Sequence, residues 1–342
     1  MPSRPHALLA AIVLAAVACG GAPPHPKDIS KNGASRLSEP FIFQSPLARS
    51  HPLVGSIWAR GARIEESELL ERAAAATVVW LGEKHDNVDH HRLQSRVIAS
   101  LADRGACPSV VFEMIEETQQ KELEEGERAG RSEVVAEKVA WEKSGWPAFA
   151  TYAPIFDVAL ARHLPLVAGN VPKKTVRGIA FEGKESLESS EMNRLGLALP
   201  FSDAQTDGLL DELVANHCGH LDKKSAGPLV LAQRARDGAL AAHALDSVAH
   251  ANASCRGPKA VVISGNGHAR IDRGGPFVVS ARKTDTSQFS IAFVEAEDGK
   301  LTLDRYEVAP LYDAVWFTPR ANDDDPCAKM KALPKMHSAP PG

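Results

Sequence analysis

The chain has no excess of basic charge. Its 39 Lys and Arg stand against 43 Asp and Glu, a formal net charge of -4. No run of Lys and Arg with interleaved aromatics occurs either, so the electrostatic footprint of a nucleic-acid binder is missing. No apolar stretch is long enough for a transmembrane helix. There is no CxxC, which argues against a zinc knuckle or a thioredoxin-type site. There is no GxSxG, which disfavours a serine hydrolase. Gly265-Asn266-Gly267 is a tight glycine loop but not GxGxxG, and no acidic residue follows on a suitable strand, so a dinucleotide fold is not expected. No internal repeat is visible. What remains is ordinary globular composition: 342 residues, 44% hydrophobic and 24% charged, enough for one large α/β domain or two small ones.

The N-terminus reads as an export signal. Arg4 and His6 precede an apolar run over 7–18, and small residues follow. Ala16-Val17-Ala18-Cys19 resembles a bacterial lipobox, which implies a signal peptide over 1–18, cleavage before Cys19 and lipidation of its thiol. The plainer reading is a secreted protein with an incidental cysteine. The expected location is a bacterial cell envelope, lipid-anchored, with the outer membrane favoured and the domain facing the periplasm or the surface. Residues 19–50 are expected to be a flexible tether, 51–328 the folded domain and 329–342 a disordered tail.

Four cysteines remain: Cys107, Cys218, Cys255 and Cys327. In an exported protein they permit two disulfides, with three possible pairings. Cys107 and Cys255 each stand shortly before an expected strand. If those strands are parallel neighbours, Cys107 meets Cys255, and Cys218 pairs with Cys327 by exclusion.

Between tether and tail, strand and helix alternate. Strands are expected over 77–81, 109–112, 164–168 and 260–264. Helices are expected over 89–104, 118–143, 152–163, 175–182, 188–195, 204–217 and 229–251. Later stretches, 277–281, 289–294 and 301–308, read as strands, with Asp298-Gly299 as a hairpin turn. The expected fold is α/β, a largely parallel central sheet flanked by helices, with antiparallel strands added near the C-terminus.

Each early strand ends in chemistry. Val78-Val79-Trp80-Leu81 runs through Gly82 into Glu83, His85, Asn87 and His90. Val110-Val111-Phe112 runs into Glu113. Leu166-Val167-Ala168 runs into Gly169-Asn170. Val261-Val262-Ile263 runs into Ser264-Gly265-Asn266-Gly267-His268. In a parallel sheet these ends share one edge, where ligands of open α/β sheets collect. On the expected helix over 229–251, Gln233, Arg236 and Asp237 begin the stripe that continues through Leu240, Ala241, Ala244 and Leu245. Plainer roles also exist. Asn170 suits a turn, Arg236 and Asp237 suit local pairing, His91 is expected to face solvent, and His217 and His220 are expected to shape a loop.

This set fits two chemistries. His85 and His268 with Glu83 or Glu113 are compatible with a divalent metal site, of which His85, Glu113 and His268 are the leading ligands. The same residues suit metal-free general base catalysis, with a carboxylate orienting a histidine that activates water.

Leu81-Gly82-Glu83-x-His85-Asp86-Asn87-x-x-His90-His91-x-x-Gln94 resembles the first motif of the ChaN family of iron-regulated haem-binding lipoproteins. Phe112-Glu113-Met114, Trp146-Pro147 with Tyr152, Gly169-Asn170-Val171-Pro172, His217-Cys218-Gly219 and Gln233-Arg234-x-Arg236-Asp237 follow in order. Gly265-Asn266-Gly267-His268-x-Arg270 and Val315-Trp316-Phe317-Thr318-Pro319-Arg320 complete the series. The wider group includes Tiki-type and erythromycin esterase-like proteins and is marked by the Gly82–His85 and Gly265–His268 motifs. The resemblance implies haem binding in iron acquisition, with haem as partner and a homodimer expected. The alternative is a hydrolase using the His/Glu cleft, with or without a divalent metal. In the family a tyrosine ligates haem; of Tyr152, Tyr306 and Tyr312, Tyr152 is the expected ligand here, and a neutral histidine is the fallback.

Overall fold

Eight strands form one sheet among the described residues, which are 39–218, 220–324 and 327 in this computed structural model. They are β1 (Ile57–Ala59), β2 (Ala62–Ile64), β3 (Val78–Glu83), β4 (Ser109–Glu116), β5 (Leu166–Asn170), β6 (Ala260–Gly265), β7 (Gln288–Glu295) and β8 (Ala314–Thr318). Their order across the sheet is β2-β1-β8-β7-β3-β6-β4-β5. Strands β3 to β8 pair in parallel wherever they touch. β1 pairs antiparallel with both β2 and β8.

The expected fold class is therefore present, a largely parallel sheet with antiparallel strands at one edge. Those strands lie beside the C-terminal β8, but they come from the start of the domain. Arg60 and Gly61 join them with positive φ at both positions, the two-residue hairpin turn that matches strand twist.

β3 is buried along its length, and its side chains alternate between two cores. Val79 and Leu81 join a cluster with Leu93, Val97, Ile98 and Leu101 of α2 (Val88–Asp103). The same cluster takes Tyr152, Ile155 and Phe156 of α5 (Phe149–Ala161). Val78 and Trp80 face the other way, onto Leu240, Ala241 and Ala244 of α9 (Lys223–Ala249). The sheet thus lies between helical layers, as near-continuous apolar strands require.

The other helices are α1 (Glu66–Ala75), α3 (Gln120–Ala129), α4 (Ser132–Lys138), α6 (Lys173–Glu182), α7 (Ser189–Arg194), α8 (Asp203–Asn216) and α10 (Gly275–Arg282). Several differ from expectation. The helix expected over 118–143 is broken into α3 and α4, because Gly130 ends α3 in the left-handed conformation. The strand expected over 277–281 is α10, where Pro276 occupies the first turn and presets a helical φ. The stretch 301–308 is a loop with a single 3-10 turn, Leu303–Arg305, so Asp298-Gly299 closes no hairpin. α9 starts at Lys223, capped by the Asp222 side chain.

Both expected disulfides are formed, Cys107–Cys255 and Cys218–Cys327. Cys107 and Cys255 precede β4 and β6, which are parallel neighbours. The chain joins the domain before residue 51: Phe41 and Phe43 pack on the α2 core, and the Asp89 carboxylate accepts from the Gln44 and Ser45 amides. The expected signal peptide, Cys19 and the tail over 329–342 lie outside the described residues. No helix among the described residues is long and apolar enough to cross a membrane.

Candidate functional site

The parallel register brings the strand ends together. Glu83 pairs with Gly265 across β3 and β6, so the β3 terminus and the Gly265–His268 loop occupy the same edge. β4 continues beyond its pairing with β6, and its register against β5 shifts between Phe112 and Glu116. That irregularity contains Glu113. Asn170, at the end of β5, donates to the Glu113 carbonyl at 2.7 Å and pins the irregular backbone. Above these ends lies a cleft of about 1340 Å³. Glu83, His85, Glu113, Asn170, Asn266 and His268 line it, as do Gln233 and Arg236 from α9. The first six are the residues whose convergence the strand endings predict.

Glu83 is buried at the base of the cleft. Its Oε1 accepts from His85 Nδ1 at 2.9 Å and from the Tyr152 hydroxyl at 2.6 Å. Its Oε2 lies 3.3 Å from His91 Nε2. Burial opposes ionisation of Glu83, but His91 and His85 outweigh it and hold the carboxyl far below its ordinary value. Burial likewise disfavours a charged His85, yet Glu83 and Glu113 prevail and raise its pKa. Because a carboxylate can only accept, the His85 Nδ1 carries the proton and Nε2 is the open nitrogen. A Cβ placed on Gly265 would lie 2.9 Å from that Nε2 and 3.7 Å from Glu113 Oε2, so glycine leaves the two groups a shared space. Trp146 packs edge-on against the His85 ring, with centroids 4.7 Å apart.

The second histidine is held differently. His268 Nδ1 lies 2.6 Å from Asp237 Oδ1, and its Nε2 lies 3.2 Å from Glu113 Oε1. Burial opposes its charge, but the two carboxylates overcome burial and push it up to about 10. Glu113 accepts the Gly265 amide at 2.7 Å as well, and despite burial it is held down to about 2 by His268 and these bonds. Burial pushes the Asp237 carboxyl up, and His268 partly offsets this. Asp237 supports His268 from α9, while the Gln233 amide lies 3.1 Å and 3.2 Å from its two ring nitrogens.

Some expected residues serve the fold instead. Asn87 caps α2 by accepting from the Asp89 and His90 amides, and it donates to Glu295 and the Pro319 carbonyl. His90 is wholly buried; its Nδ1 accepts from the Lys84 amide, so its Nε2 donates to Thr318 Oγ1 at 2.8 Å. Burial, with His91 nearby, drops its pKa to about 3. Asn266 donates to the Phe293 carbonyl at 2.8 Å and lies over Gly82, where any Cβ would strike it.

One placement overturns expectation, and two others bear on expected ligands. His91 does not face solvent: it is buried, stacked on Tyr152 at 3.8 Å between ring centroids, with Nδ1 bonded to the Thr151 carbonyl. Its spacing with Gln94, Ile98 and Leu101 marks the same inward face of α2, a signal the sequence does contain. Tyr152, the expected haem ligand, is fully buried beneath the cleft, with its hydroxyl committed to Glu83. Of the expected ligand set His85, Glu113 and His268, the last turns both ring nitrogens to carboxylates, Nδ1 to Asp237 and Nε2 to Glu113, itself a member of the set. Among the described residues no group of three or more His, Cys, Asp or Glu is placed to hold a metal ion.

The arrangement offers an oriented imidazole with one open nitrogen, beside a carboxylate. Such a nitrogen can ligate a metal centre or take a proton from water.

Among curated protein sequences none matches this chain. Solved structures do. The structure of cofacial haem binding to ChaN of Campylobacter jejuni is 18% identical, with a TM-score of 0.59, covering 76% of this chain and 95% of that one. The type III effector HopBA1 is 13% identical with a TM-score of 0.42, covering 73% and 91%. An erythromycin esterase mutant, EreC, in its open conformation is 13% identical with a TM-score of 0.41, covering 76% and 94%. The first of these shares the fold. The model of the haem-binding uptake family, Tiki superfamily, ChaN, matches residues 69–279, more than half the sequence, and the chain belongs to that family.

Proposed function

We propose that this protein binds haem in the cleft above β3, β4 and β6, with His85 as the iron ligand, and that it serves iron acquisition at a bacterial envelope. The observation that carries the reading is the Glu83–His85 pair. Glu83 fixes the tautomer and raises the basicity of the ring, as carboxylates do behind metal-ligating histidines.

The residues present fit haem on three counts. The cleft is larger than the roughly 300–1,000 Å³ of ordinary small-molecule sites. Met114, Val139, Trp146, Val176, Leu213 and Phe293 give it apolar wall. His85 supplies a nitrogen donor. A phenolate donor does not fit. Tyr152 is bonded to Glu83, Tyr306 accepts from the Glu297 amide, Tyr312 donates to the Asn266 carbonyl, and all three are buried. When bound, the haem supplies its iron for ligation; the protein supplies position, the fixed ring proton and shelter from water. The two disulfides support an oxidising compartment. The export signal and lipid-anchored cysteine read in the sequence support the envelope.

Titration of the purified domain with ferric haem tests the reading. A saturable Soret shift with the spectrum of a nitrogen-ligated ferric haem is expected. Absence of a shift sinks the proposal.

One observation favours a second reading, acid–base hydrolysis. His268 is clamped between the buried carboxylates of Asp237 and Glu113, a polar investment that haem ligation by His85 does not call for. Glu113 and His85 would then share the activation of a water above Gly265. Turnover of a peptide and ester panel, lost in Glu113→Gln, is the outcome this reading requires; no turnover by the wild-type protein excludes it for those classes.

A further inference from the structure

The cleft contains a half-buried cation with no partner among the described residues. Around it, most charged groups are already satisfied, and the two that are not, Lys143 and Asp324, are exposed to water. Lys84 pairs with Glu295, Arg320 with Asp298, and Glu212 is held by Arg270 and Arg273. Glu83 and Glu113 are occupied by histidines and hydrogen bonds. Arg236 differs: it lines the cleft, half-buried, and makes neither hydrogen bond nor ion pair among the described residues. A guanidinium has five donors in a planar fork that matches a carboxylate bidentately. Leaving it partly desolvated without an acceptor is costly, so such a group is placed where something else supplies the acceptor.

Its position says which part of a ligand it meets. Arg236 stands on α9, one helical turn beyond Gln233 and next to Asp237, the support of His268. α9 covers one face of the sheet. His85 stands at the end of β3, backed by Trp146, which packs with the core on the opposite face. The walls of the cleft therefore come from both layers, with an open imidazole nitrogen at one and, at the other, a guanidinium unpaired among the described residues. A broad flat ligand bound through its centre at His85 needs an anionic edge to satisfy Arg236.

We infer that Arg236 is a carboxylate-binding subsite of the cleft, which receives a propionate of haem and discriminates the free acid from its neutral ester. The inference rests on the haem reading above and assigns the residue that sets its ligand preference.

The test uses ferric haem and ferric haem dimethyl ester, titrated into the wild-type protein, Arg236→Gln and Arg236→Lys and followed at the Soret band. Wild type should bind the acid about tenfold to a hundredfold more tightly than the ester, the range for a charge-assisted hydrogen-bonding pair. Arg236→Gln should lose that preference while keeping the same Soret spectrum, and Arg236→Lys should restore part of it. Equal binding of acid and ester by the wild type overturns the inference without any variant, and so does a preference retained in Arg236→Gln. Either result leaves haem binding intact. If the wild type binds neither, the haem reading falls and this inference falls with it.

Discussion

His85 Nδ1 lies 2.9 Å from Glu83 Oε1, and Glu83 is itself held by Tyr152 at 2.6 Å. The ring proton is thus committed on the buried side, and the nitrogen facing the cleft is the one left to do chemistry. Glu83 acts through His85, so its removal should weaken ligation without abolishing it. Glu83→Gln is expected to lower haem affinity about tenfold to a hundredfold, the usual cost of losing a carboxylate behind a ligating histidine. Unchanged affinity in a Soret titration would show that the pair is structural only.

The tyrosines give a contrasting set. Each tyrosine is buried as a residue and its hydroxyl is hydrogen-bonded inside the protein, which disfavours ligation. Tyr306→Phe and Tyr312→Phe should each lose about 1 kcal/mol of stability with the buried hydrogen bond. Both should keep the wild-type Soret maximum. A shifted maximum in either variant would return the ligand role to a phenolate.

Acid sensitivity should come in part from His90. Burial, with His91 beside it, drops this ring from 6.5 to about 3. Between those values the unfolded chain binds the proton and the folded chain does not, so stability falls as pH falls. From pH 6.5 to pH 5 this group should cost about 2 kcal/mol. Urea midpoints at the two pH values should therefore drop less in His90→Gln than in wild type. Equal drops would place the acid sensitivity elsewhere.

Gly238 on α9 marks a close backbone approach: a Cβ there would overlap the carbonyl of Leu195, after α7. Overpacking of this kind costs about 1–3 kcal/mol, and a backbone neighbour cannot rotate away. Gly238→Ala is expected at the upper end of that range by denaturant unfolding. A neutral substitution would mean that α9 and the segment after α7 separate readily.

Much of the site was legible because a parallel sheet turns sequence position into spatial position. Val78–Leu81, Val110–Phe112, Leu166–Ala168 and Val261–Ile263 each end in polar residues, and the shared edge follows once the strands are parallel. Asp237 was legible on the buried stripe of α9. The β1–β2 hairpin was not, because a three-residue strand such as Ile57–Ala59 is too short to show a period. Nor was the helix Gly275–Arg282, whose Phe277–Val279 run has strand-like residues but a helix-initiating proline before it. The role of Tyr152 was hidden for another reason: no local pattern announces that a tyrosine on α5 will meet a carboxylate from β3, 69 residues away.

The central claim is that His85 holds the iron. Ferric haem titrated into His85→Ala, beside wild type, tests it most directly. The account predicts loss of the nitrogen-ligated Soret spectrum and a large fall in affinity, with the variant still folded by circular dichroism. A folded His85→Ala that binds haem with the wild-type spectrum and affinity would contradict it.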